Sequence, residues 1–249
     1  MEFIIFSNDY INSKNYITAG VSKICIDIER RGKAERQAKR DTLISKHQIE
    51  DIAKISERIG IENTICRINP FHEKTYSEIK QSIKLGAGSI IFPYFKEIDE
   101  IKFFIDNVNG KAKTIALVET MQSFLRLPNI VNIPGLDQIH IGLNDLSLDI
   151  GFENMFEIVE LGWMEFLQEK IFKNKIKFGF GGVSTLNDVD CTFPAKRVLN
   201  HHVKSNSSAV ILSRRFLNNC GQNSNSNNDF WSTLENEINL LNKFLEGKK

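Results

Sequence analysis

The sequence predicts an α/β fold, a (β/α)8 TIM barrel followed by a C-terminal helix. Three observations predict it. Eight short apolar runs recur along the chain, and longer amphipathic stretches separate them. Alternation of this kind means a parallel sheet with helical crossovers. The chain has 249 residues, and about 250 suffice for one closed barrel. No linker-like segment interrupts the first 217 residues, which favours closure over an open doubly wound sheet.

The runs are 3–6, 24–28, 64–68, 89–92, 114–118, 138–141, 177–180 and 209–212. They are rich in Ile, Val and Phe, as strands buried on both faces require. Between them, helices are predicted over 47–59, 76–85, 97–108 and 156–173. In the first, Ile49, Ile52, Ala53, Ile55, Ser56 and Ile59 form one stripe. Gly60, Gly86 and Gly110 follow three of these stretches, where a left-handed C-cap is wanted. Residues 218–229 are rich in Asn, Ser and Gly and predict a flexible loop. Residues 230–249 predict a tail helix, with Trp231, Leu234, Ile238, Leu241 and Leu245 on one face, packing on its own or a neighbouring barrel.

Net charge is +1, which argues against a nucleic-acid partner held by bulk electrostatics. No apolar run reaches the roughly 18 residues that span a bilayer, so no membrane partner is expected. The opening residues lack the basic start and small-residue cleavage site of a signal peptide. The cysteines Cys25, Cys66, Cys191 and Cys220 form no C-x-x-C pair. A cytoplasmic setting is the simplest reading, with Cys25 and Cys66 as small core residues.

Barrel chemistry sits at the C-terminal ends of strands. The polar residues that end the runs are Asp27 and Glu29, Arg67 and Asn69, Glu119, and Asn144 with Asp145. Period-two alternation puts Asp27 with Glu29 on one face, and Arg67 with Asn69 on one face. Charges there are costly unless paired, wet or metal-bound. A structural ion pair of Asp27 or Glu29 with Arg67 is one reading. Carboxylates in oxygen-rich surroundings that would hold Mg2+ or Mn2+ are the other. The histidines show no zinc spacing, and surface or helix-end roles are expected for His201 and His202.

These residues resemble a known family. The strings Ile115-Ala116-Leu117-Val118-Glu119-Thr120 and Ile141-Gly142-Leu143-Asn144-Asp145-Leu146-Ser147 are similar to the paired metal motifs of the HpcH/HpaI aldolase and citrate lyase beta-subunit family. Ile26-Asp27-Ile28-Glu29, followed by Lys33, Ala34 and Arg36, is similar to the acidic strand-2 motif of its citrate-lyase branch. Arg67-Ile68-Asn69 resembles the family's strand-3 motif, and the segment from Gly86 to Pro93 its fourth strand. The resemblance implies a metal-dependent carbon–carbon lyase, usually a homo-oligomer, acting on a 2-oxo acid or an acyl-CoA thioester. Carried over, Glu119 and Asp145 would bind the metal. Arg67, Asn69, Pro93, Gly142 and Asn144 would face the substrate, with Arg67 contacting the enolate. The family's strand-2 His is absent, and Arg30 stands where the citrate-lyase branch has Asp. Asp27, Glu29 and a metal-bound water are left as proton-handling groups. Tyr94 stands where the family often has Lys. Lys23, Lys113 and Lys177 lie at strand starts, the wrong end for a Schiff base.

Two further segments draw bland and sharp readings. Arg30, Arg31, Lys33, Arg36, Lys39 and Arg40 form a basic run, diluted by Glu29, Glu35 and Asp41. It is expected to be a solvated loop and helix face rather than a site lid or CoA-phosphate contact. The segment 179–182 with Arg214 and Arg215 is expected to be a tight turn with solvated arginines, or else a phosphate anchor at loops 7 and 8. Against the lyase reading stand a barrel isomerase or epimerase using that anchor, and a catalytically impaired relative that keeps the metal.

Overall fold

The computed structural model describes residues 1–36, 45–172, 176–191, 193–222 and 227–248. Eight strands form one closed parallel barrel: β1 (Glu2–Phe6), β2 (Lys23–Asp27), β3 (Thr64–Arg67), β4 (Ser89–Phe92), β5 (Lys113–Val118), β6 (Gln138–Ile141), β7 (Lys177–Val183) and β8 (Ala209–Leu212). Each pairs with the next in sequence order, and β8 closes on β1. The apolar runs therefore locate all eight strands of the TIM barrel, to within a residue or two at most ends. β7 differs most, running three residues further through a register shift between Gly181 and Val183.

The pleat sorts side chains into two layers. Ile4, Cys25, Ile65, Ile91, Ile115, Leu117 and Ala209 fill the barrel, with Phe6 and Ile211 at their edges. Ile5, Ile24, Ile26, Cys66, Ile90, Phe92, Ile139, Ile141 and Phe180 point outward and meet the helices. Cys25 and Cys66 are buried one in each layer, and burial pushes the Cys66 thiol up to about 12. His140 is also buried. The glycines of β7 make room for it, since a Cβ on Gly179 would lie 2.8 Å from its Nδ1.

The helices depart from expectation at their ends. The stretch 47–59 turns helical only at Asp51–Ile59, because Asp51 Oδ2 accepts the Gln48 amide and the Asn8 side chain and so closes the preceding turn. Gly60 then adopts φ 88° and ψ 154°, an extended geometry open to glycine rather than a left-handed cap. Asn109, not Gly110, takes the left-handed cap after Ile98–Val108. Gly162, at φ 75°, splits 156–173 into Glu157–Glu160 and Trp163–Phe172; Lys173 lies outside the described residues.

Asn218 and Asn219 end a helix over Arg214–Asn219, capped by the Ser213 hydroxyl accepting the Phe216 amide. The tail helix runs Asn227–Glu246, and residues 223–226 lie outside the described residues. Phe230, Leu234, Ile238, Leu241 and Leu245 are buried against this same barrel. Tyr16 meets Phe230 and Trp231 edge-on. No helix among the described residues is long and apolar enough to cross a membrane.

At the N-terminal end of the barrel, Lys23 donates to the Glu62 carbonyl, Lys113 pairs with Asp137 and Lys177 with Glu2. A hollow of about 1240 Å³ opens among them. Two of its charge pairs are Lys113 with Asp137 and Lys177 with Glu2, and it lies at the opposite end from the carboxylates described next.

Candidate metal centre

At the C-terminal mouth, strand ends carry four nearly inaccessible acids: Asp27 and Glu29 after β2, Glu119 after β5, and Asp145 after β6. Glu29, Glu119 and Asp145 each bring a carboxylate oxygen within 4.8 Å of the others. Asp145 lies in the first turn of the helix Leu143–Ile150, where the partial positive charge of the amides favours its negative charge. Glu119 continues the face of Ile115 and Leu117 and leaves the barrel just above them. Its Oε1 accepts the Tyr94 amide at 2.9 Å. Its other oxygen lies against Gly142, where a Cβ would come within 2.5 Å. Gly142 thus serves Glu119 by having no side chain. Pro93 is buried and leads into Tyr94, whose φ of 50° turns that amide toward Glu119. Asn144 is half-buried beside Asp145, with its carbonyl accepting the Ser147 hydroxyl.

Burial, then the negative charge of Asp145 and Glu29, pushes the Glu119 carboxyl well above the usual carboxylate range, against the pull of Arg67 and Arg36. A divalent cation at this point would relieve that repulsion. The donor set is all oxygen, which suits Mg2+ or Mn2+ and disfavours zinc. The residues present therefore fit a divalent ion. Glu119 and Asp145 lie close enough to share it, and Glu29 joins them as a third carboxylate that sequence reading had placed among the proton-handling groups.

Arg67 stands beside this cluster. Its Nε and Nη2 donate to the two oxygens of Asp27 at 2.8 and 2.7 Å, Nε lies 3.3 Å from Glu29, and the guanidinium covers the Phe6 ring. Burial opposes ionisation of Asp27, but Arg67 and Lys33 overcome it and hold the carboxyl well below the usual range. Asp27, read from the sequence as a proton-handling group, holds Arg67 in place through both of its oxygens. Asn69, read from the sequence as a substrate contact, makes hydrogen bonds within the protein. Its Oδ1 accepts the amides of Arg30 and Arg31, and its Nδ2 donates to Glu78. The oxygen thus fastens the strand-2 loop, and the nitrogen ties the end of β3 to the helix Thr75–Lys84.

The basic run is not uniformly solvated. Arg30 and Arg31 are exposed, and Lys39, Arg40 and Asp41 lie outside the described residues. Lys33, however, is buried, with Nζ 3.3 Å from Asp27 and 3.1 Å from Glu29. Arg36 reaches Glu29 at 2.6 Å and Asp145 at 3.7 Å, and its guanidinium lies 3.9 Å from the centre of the Tyr94 ring. The short helix Lys33–Arg36 carries both over the acids. Sequence reading missed these roles. The four-residue spacing of Glu29 and Lys33 was the available signal, although Glu29 lies in the loop before the helix. A small cleft of about 180 Å³, lined by Arg36, Tyr94, Asp145, Leu148 and Asp149, opens from the cluster to solvent.

Among the described residues, loops 7 and 8 bring together no comparable cluster of acids. Gly179 and Gly181 face His140 inside the barrel, Gly182 lies in the β7 irregularity, and Arg215 is bound to Asp188 through two hydrogen bonds. His202 departs from a surface role: it ends its helix fully buried, stacked on Phe180 with Nδ1 at the Ser207 hydroxyl.

Comparison with solved structures finds the same barrel at low identity. An HpcH/HpaI aldolase from Desulfitobacterium hafniense DCB-2 matches with a TM-score of 0.65 at 12% identity, covering 85% of each chain. The citrate lyase beta subunit from M. tuberculosis, complexed with oxaloacetate and magnesium, matches at 0.62 and 11%, covering 98% of this chain and 96% of that one. The citrate synthase SbnG matches at 0.62 and 15%, covering 100% and 95%. No curated protein sequence matches this chain. The model of one family matches residues 7–187, well over half of the sequence and all four acids with Arg67, and the chain belongs to that HpcH/HpaI aldolase/citrate lyase family.

Proposed function

We propose that the protein is a divalent-metal-dependent carbon–carbon lyase of the aldolase type, acting on a 2-oxo acid or a related enolate-forming substrate. The observation that carries this reading is the convergence of Glu29, Glu119 and Asp145 at one point beside Arg67. Mg2+ or Mn2+ held by Glu119 and Asp145 would fix a 2-oxo carboxylate and stabilise the negative charge that develops on the enolate oxygen. Arg67, clamped by Asp27 and stiffened by Phe6, presents a guanidinium already oriented, so little reorganisation is needed as charge builds. Glu29 shares its negative charge among Lys33, Arg36 and Arg67 and steadies all three. Tyr94 and Arg36 wall the opening, where the departing or incoming carbonyl compound would sit. The magnesium and oxaloacetate named for the citrate lyase beta subunit agree with this chemistry.

One observation favours a second reading, a relative that binds but does not turn over: both strand-2 acids are tied up in ion pairs. A single experiment separates the two. Purified protein is offered a panel of 4-hydroxy-2-oxo acids with Mg2+ or Mn2+, and pyruvate release is followed by coupled lactate dehydrogenase. The lyase reading expects turnover that EDTA abolishes and Glu119→Ala lacks. Binding of oxalate without any turnover across the panel supports the second reading, and full activity in excess EDTA contradicts the first.

A further inference from the structure

The acids at the barrel mouth are matched by cations that belong to the chain itself. Lys33, Arg36 and Arg67 all lie within 3.7 Å of one or more of them. Their placement is unequal. Lys33 and Arg67 lie on the Asp27 side of the cluster. Arg36 alone reaches across it, touching Glu29 with the same Nη2 that faces Asp145. Its Nε is buried with no hydrogen-bond partner among the described residues. An arginine held by its full set of donors is rigidly fixed, whereas this one is underbonded at Nε and rests on an aromatic face that tolerates sliding.

A divalent ion approaches carboxylate oxygens to about 2.0–2.1 Å for Mg2+. At Asp145 it would stand within a few ångströms of the Arg36 guanidinium, in surroundings with little water to screen the two charges. We infer that Arg36 sets the divalent-ion affinity of this centre by competing with the metal for Asp145 and Glu29. This inference rests on the metal site proposed above. Loading then requires the Arg36 guanidinium to slide along the Tyr94 ring away from Asp145 and Glu29, and the helix Lys33–Arg36 is the element that moves with it. Removing the charge strengthens metal binding, contrary to what a supporting residue would do.

Mn2+ binding is measured by loss of the free-ion EPR signal in wild type, Arg36→Gln and Arg36→Lys, with circular dichroism to verify folding. The expected result is at least tenfold tighter binding by Arg36→Gln, with Arg36→Lys close to wild type because it keeps the charge. Equal or weaker binding by Arg36→Gln, while wild type binds, overturns the inference and leaves the metal site standing. Absence of binding in all three overturns both. A measurement on wild type serves if the variants fail to fold: hydrogen exchange at the amides of residues 33–36 speeds up on adding Mg2+ if Arg36 is released. Unchanged or slower exchange, with Mg2+ bound, counts against it.

Discussion

Replacing Gly142 by alanine places a methyl group 2.5 Å from Oε2 and 2.7 Å from Cβ of Glu119. The backbone at Gly142, φ −85° and ψ 85°, is open to alanine, so the effect is steric rather than conformational. The contact with Oε2 can be relieved by rotating the carboxylate, but that rotation takes it away from Asp145. The contact with Cβ can be relieved only by shifting the end of β5. Overpacking of this kind costs about 1–3 kcal/mol. That range is the expected loss of stability in urea denaturation. The same range, imposed whenever Glu119 must return to its liganding position, weakens Mn2+ binding by roughly 5- to 150-fold. Isothermal titration with Mn2+ reads the second effect separately from the first. Wild-type Mn2+ affinity in a folded Gly142→Ala protein would refute the reasoning, because Glu119 would then not need the space that glycine leaves.

Three further outcomes follow from the same geometry. Glu119→Gln abolishes Mn2+ binding yet stabilises the metal-free protein, because the amide carries no charge to be desolvated. The Glu119 carboxyl lies above its unfolded value in the fold, so its contribution to stability is present in acid and lost as pH rises; the advantage of Gln therefore grows with pH in thermal melts. Asp27→Ala leaves the buried Arg67 and Lys33 with Glu29 as their one remaining shared partner and lowers stability by about 3 kcal/mol in urea, whether or not metal is present. Burial, with Arg67 adding to it, lowers His140 to about 3, so the folded state keeps it neutral while the unfolded chain protonates it below about 6.5. Stability linked to His140 is thus present above that value and lost as pH falls toward 3, up to about 5 kcal/mol in all. His140→Gln flattens this acid limb, and an unchanged limb would show that the imidazole is not excluded from water.

The barrel was legible because buried strands announce themselves: runs such as 89–92 and 209–212 are apolar throughout, and turn residues bound them. Glu119, Asp145 and Arg67 were legible because charge at the end of an apolar strand is costly without a partner. What the order of residues hid was the company these groups keep. Asn69 reads as a polar rim residue, but its hydrogen bonds run to loop amides 38 and 39 positions away. Lys33 and Arg36 read as part of a diluted basic run, and only the fold turns them inward over the acids. Gly179 and Gly181 read as a turn or phosphate loop, yet their role is to make room for a histidine on the neighbouring strand. For Asn69 and the two glycines the deciding contact is long-range, and for Lys33 and Arg36 it depends on how the loop after β2 folds back over the acids.

We propose that the carboxylates just after β5 and in the helix after β6 hold one divalent ion. Anomalous diffraction from crystals soaked in Mn2+ and oxalate tests it most directly. The account predicts a single strong peak bonded to oxygens of both Glu119 and Asp145, at roughly 2.0–2.3 Å, with oxalate completing the shell and Arg67 facing it. A peak bonded to neither residue, or none at saturating Mn2+, would contradict it.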